Sequence, residues 1–205
     1  MNISGLDLKP ISEAEVISVF LKGELKSERF SEKIKMAIEK LGVTNSIIQN
    51  PDLNNSQEND IRLEILEETR KYVSRKGLFG GFPQNIKWFR VEVSKDFLIN
   101  EVLFINYDYW VELTNGSRLS KDAVRKIRNN EMVYDVPYDN LLEASEYFKK
   151  NKSFDEMILV SDGNEFVVLE GHLRLTVLAL NKDILPEKIS VIMGVSEDMN
   201  KWGLF

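Results

Sequence analysis

The stretch Met157–Thr176, MILVSDGNEFVVLEGHLRLT, decides how this chain is read. Met157–Val160 and Phe166–Leu169 are two apolar runs of strand length, which predicts a pair of strands. Between them, Asp162-Gly163 supplies the positive φ angles of a type I′ hairpin turn. Gly171 cuts the second run. His172 then opens a helix that reaches about Leu180 and turns Leu175, Leu178 and Ala179 to the core. A glycine at a helix start allows close approach to free backbone N–H groups at the positive end of the helix dipole. Arg174 adds a guanidinium suited to bidentate contact. Glu170-Gly171-His172-Leu173-Arg174 is therefore a candidate phosphate cradle.

Outward from this stretch, the composition sets limits. The chain has 205 residues, suited to one domain with an elaboration or to two small domains. Its 11 Phe, 6 Tyr and 3 Trp are enough to dominate a sizeable core. The absence of cysteine excludes disulfides, thiolate zinc sites and cysteine nucleophiles. A single histidine excludes a multi-histidine metal centre, so a metal would be a hard cation on carboxylates. The net charge of −6 argues against indiscriminate DNA binding. No apolar run approaches the roughly 18 residues of a bilayer span. The first residues, MNISGLDLKPISEAEV, carry no secretory pattern, and a cytoplasmic protein is expected.

Residues 86–205 alternate between strand and helix patterns. Ile86–Val93 reads as a strand. Glu101–Leu113 reads as a strand too, with a period that also admits a helical turn near Tyr107–Trp110. Arg118–Arg128 is a basic helix with five basic residues and one acid. Tyr138–Lys150 is another helix, and Lys188–Met193 a last strand. Residues 1–85 are helical: a capping box opens a helix at Ser12 that Gly23 ends or bends, followed by helices over Ser27–Leu41 and Glu58–Ser74 with a loop over residues 43–59. The expected fold is α+β, a mixed sheet with helices in residues 86–205, with residues 1–85 as a helical N-terminal segment packed on that core. Phe79-Gly80-Gly81-Phe82-Pro83 reads as a connector between the halves, with a lid as the other reading. Asn115-Gly116-Ser117-Arg118 is a second glycine-to-helix passage, and Arg118 is a candidate opposing wall of the phosphate site.

The order strand, Asp-Gly turn, strand, (D/E)-G-H-x-R-L, apolar helix, short apolar strand resembles the ParB/sulfiredoxin superfamily over about residues 136–194. Glu170-Gly171-His172-Leu173-Arg174 is most similar to the D-G-H-H-R form of its free serine kinases. The resemblance implies a ParB/sulfiredoxin-like sheet that binds a nucleotide or other phosphate ligand, with Mg²⁺ accompanying the nucleotide. Carried over, Gly171, His172 and Arg174 would contact phosphates, and Glu170 would sit where a polar or acidic residue helps place phosphate or metal. Glu170 and His172 would be catalytic in phosphoryl transfer or nucleotide hydrolysis. Without cysteine, sulfiredoxin chemistry is impossible. The second arginine of the ParB motif is missing, and no motif identifies the acidic base a kinase needs. Two other readings stay open. One is a ParB-like nuclease or nucleic-acid-binding module, and the other a non-catalytic interaction domain with a vestigial site. Nothing in the sequence fixes an oligomeric state.

Overall fold

The computed structural model describes residues 5–151 and 155–205. Its strands are β1 (Lys9–Pro10), β2 (Lys87–Ser94), β3 (Val102–Leu103), β4 (Met157–Ser161), β5 (Phe166–Glu170) and β6 (Lys188–Val195). They form one mixed sheet in the order β1-β2-β6-β4-β5-β3. β4 pairs antiparallel with β5 and parallel with β6. The fold is α+β, with the opening stretch at the middle of the sheet.

β4 reads as an unbroken apolar run because both faces of the sheet are covered. Met157, Leu159, Phe166, Val168, Val191 and Met193 face one core. Ile158, Val160, Val167, Leu169 and Ile192 face the other. The first core is closed by α5 (Lys95–Asn100), α7 (Ser120–Arg128), α8 (Asp139–Asn151) and α9 (His172–Leu180), with α6 (Asp108–Leu113) at the rim. The second is closed by α1 (Glu13–Lys26), α2 (Ser31–Lys40), α3 (Ser46–Gln49) and α4 (Ser56–Arg70). The N-terminal helices thus form one whole layer of the sandwich.

Several expectations are corrected. The hairpin is not a two-residue type I′ turn. Only Gly163 has positive φ (104°). Asp162 Oδ1 instead accepts from the N–H groups of Asn164 (2.8 Å) and Glu165 (2.9 Å), an Asx turn. Glu101–Leu113 is strand only at β3 and then becomes α6. Gly23 does not end α1, which continues to Lys26. The loop over residues 43–59 contains α3. Phe79–Pro83 is a connector whose Phe79 and Phe82 are buried against Phe20, Tyr72 and Trp202. A Cβ at Gly81 would overlap the Lys201 carbonyl, so the C-terminal segment locks this connector in place. Among the described residues, no helix is long and apolar enough to cross a membrane.

Candidate functional site

Gly171 takes φ 109°, where a Cβ would come within 2.7 Å of the Met157 side chain. Only glycine makes this corner between β5 and α9 without strain. The Gly171 N–H donates to Glu170 Oε2 at 2.5 Å. Glu170 Oε1 accepts from the Arg174 guanidinium. The other arm of Arg174 donates to the carbonyls of Asp155 (3.1 Å) and Glu156 (2.6 Å). Arg174 therefore closes the turn onto the start of β4.

His172 lies against two aromatic rings, Trp110 at 5.1 Å and Phe104 at 6.0 Å between centroids. Burial lowers its pKa to about 3, and the positive charges of Arg174 and Arg70 push in the same direction. The imidazole is neutral at physiological pH. Its Nε2 is buried and has no hydrogen-bond partner.

Across from this turn stand α1 and α4. A Cβ at Gly23 would overlap Glu170 Oε1, so α1 reaches the motif through a residue without a side chain. The next residue, Glu24, is only 7% exposed, and Arg70 at the end of α4 is 14% exposed. Arg70 Nε lies 3.7 Å from Glu24 Oε1, an ion-pair distance too long for a hydrogen bond. The guanidinium rests over the Phe30 ring at 3.9 Å. Burial pushes the Glu24 carboxyl up to about 7, with Arg70 opposing and Glu170 reinforcing the shift. Burial also lowers the Arg70 pKa, against the pull of Glu24 and Glu170. Both partners move towards neutrality, so desolvation outweighs their mutual attraction.

Six buried side-chain polar atoms among the described residues have no partner, and three of them, Glu24 Oε2, Arg70 Nε and His172 Nε2, belong to residues whose charges act on one another around this turn. Buried polar groups are normally satisfied, which sets these three apart from the surrounding core. The structure brings Glu170, Gly171, His172 and Arg174 together by chain continuity. It places Arg118 elsewhere: Arg118 Nε donates to the Phe104 carbonyl at 2.7 Å and its charge faces Glu165, at the opposite end of β5 from Glu170.

Glu24 and Arg70 escaped the reading of motifs, yet each left a signal. Glu24 continues the buried stripe Ile17, Phe20, Leu21 of α1, where a carboxylate has no place in a plain core. Arg70 continues the stripe Arg62, Leu66 of α4 at four-residue spacing. Among the described residues, no group of three or more side chains is arranged to hold a metal ion. Both Glu170 oxygens are already engaged, so the donor set does not fit a resident Mg²⁺.

Chemically, these residues offer a cation, a helix N-terminus, a neutral imidazole and a carboxyl that titrates near neutrality. Comparison with protein-family models, curated proteins and solved structures finds no match.

Proposed function

We propose that the start of α9, with Glu24 and Arg70 beside it, binds a phosphate-bearing ligand, of the nucleotide class that the resemblance of the 170–174 motif suggests. The observation that carries the reading is that Glu24 Oε2, Arg70 Nε and His172 Nε2 are buried and unpartnered, on residues whose charges act on one another and on Glu170. An anion there meets the free N–H groups of the first turn and the Arg70 guanidinium. Glu24, poised near neutral pH, supports proton transfer to or from a ligand hydroxyl, as phosphoryl transfer or hydrolysis requires. Mg²⁺ belongs to this reading only as a companion of the nucleotide's phosphates.

Arg70→Met keeps an unbranched apolar side chain and removes the charge together with the guanidinium that rests over Phe30. By calorimetry with ADP and with inorganic phosphate, affinity should fall roughly 10- to 100-fold, the worth of charge-assisted hydrogen bonds. Equal affinity in the two proteins overturns the reading. Arg174→Ala is the less informative variant, because Arg174 also holds the start of β4.

A further inference from the structure

The first N–H at the start of α9 and the nearest guanidinium are already engaged by a carboxylate of the protein itself. Glu170 Oε2 accepts the Gly171 N–H, and Oε1 accepts Arg174, so a carboxylate sits where the helix dipole and the nearest donors favour a negative charge. Its seat is shaped on the far side by Gly23, whose missing side chain leaves room for Oε1. Directly beyond lie Glu24 Oε2 and Arg70 Nε without partners, and His172 Nε2 is buried without one on α9 itself.

We infer that Glu170 is a resident competitor: its carboxylate occupies the phosphate position at the start of α9, and ligand binding displaces it. This rests on the proposed phosphate site and reverses the role expected for Glu170. An acid that assists phosphate or metal binding loses affinity when neutralised. An acid that competes for the seat gains it. The apparent affinity of a site whose open state is a minor population is reduced by that fraction, and removing the competitor restores it.

Two variants open the seat by different routes. Glu170→Gln removes the charge and keeps the shape. Gly23→Ala keeps every charge and puts a methyl group where Oε1 lies. Inorganic phosphate and pyrophosphate are titrated by calorimetry into the full chain, with Arg70→Met as control and circular dichroism confirming the fold of each variant. Glu170→Gln should bind both anions at least roughly fivefold more tightly than wild type, the lower end of ordinary coupling factors. Gly23→Ala should shift affinity in the same direction. Binding to Glu170→Gln alone, with wild type below detection, supports the inference as well. Weaker or unchanged affinity in Glu170→Gln, with wild-type binding that Arg70→Met abolishes, overturns it and leaves the phosphate site standing. Binding insensitive to Arg70→Met, or absent from every variant, sinks both. Where Gly23→Ala fails to fold, Glu170→Gln alone decides.

Discussion

Helix α4 buries two arginines, one in its second turn and one at its last residue, and their surroundings differ. Arg62 is fully buried. Its guanidinium donates to the carbonyls of Ile47 and Asp52 at 3.0 Å, to Glu58 at 3.1 Å and to Asn59. It is a cross-brace that ties α3 and the following loop to α4. Arg70 is nearly as buried, yet it has Phe30 beneath it and Glu24 at 3.7 Å. The sequence neighbourhoods are alike: both arginines follow the same helical stripe. Each arginine leaves its Nε without a partner, but at Arg62 carbonyls and side chains take up the rest of the guanidinium, whereas Arg70 rests on an aromatic ring.

The largest effect separates the two directly. Arg62→Met leaves the Ile47 and Asp52 carbonyls unanswered, and should lower the unfolding free energy by about 3–5 kcal/mol in urea denaturation. Phosphate affinity of the remaining folded protein should not change. A loss under about 1 kcal/mol would mean that Arg62 is as idle as Arg70.

Next in size is the pH dependence set by Glu24. The Glu24 carboxyl moves from an ordinary value of 4.5 to about 7 on folding. Between those values the folded chain keeps a proton that the unfolded chain has released, so stability falls as pH rises through this window. His172 works in the opposite direction, because its pKa falls from 6.5 to about 3 and stability is lost as pH drops through that range. Where the windows overlap, from 4.5 to 6.5, the two slopes cancel and the wild-type profile should be flat. Glu24→Gln removes one slope. Its stability should climb with pH through the overlap and exceed that of wild type by about 3 kcal/mol at pH 8. Parallel profiles for the two proteins would show that Glu24 titrates like an exposed acid. The smallest effect is expected for Arg70→Met at pH 6, where Glu24 is mostly protonated. Its unfolding free energy should change by under about 1 kcal/mol. A loss matching that of Arg62→Met would erase the contrast between them.

The elements that the sequence made legible are those with local causes. β4, β5 and α9 follow from apolar runs with clear boundaries, and the Gly171 corner from a glycine that nothing else can replace. Glu101–Leu113 misleads because Phe104, Tyr107, Tyr109 and Trp110 have strand propensity. In the fold, Phe104 and Trp110 form the aromatic shelf for His172 and the chain between them turns helical. Gly23 misleads for another reason. Glycine within a helix reads as a break, but here it makes room for a carboxylate distant in sequence. The half of the site that comes from α1 and α4 exists only through such long-range packing. Its local trace, a carboxylate in the stripe of Phe20 and Leu21, marks an anomaly without naming the partner.

The contacts of α1 form a closed circuit. Near its start, Glu15 accepts from Arg90 at 2.7 Å. Arg90 also grips Glu156 with two bonds of 2.7 Å. The Glu156 carbonyl receives Arg174, Arg174 holds Glu170, and Glu170 returns to α1 at Gly23. Glu15 and Gly23 are about 12 Å apart along the helix at 1.5 Å per residue. Beyond Gly23, Lys26 at the end of α1 pairs with Asp155, so the helix is tied to the start of β4 near both of its ends.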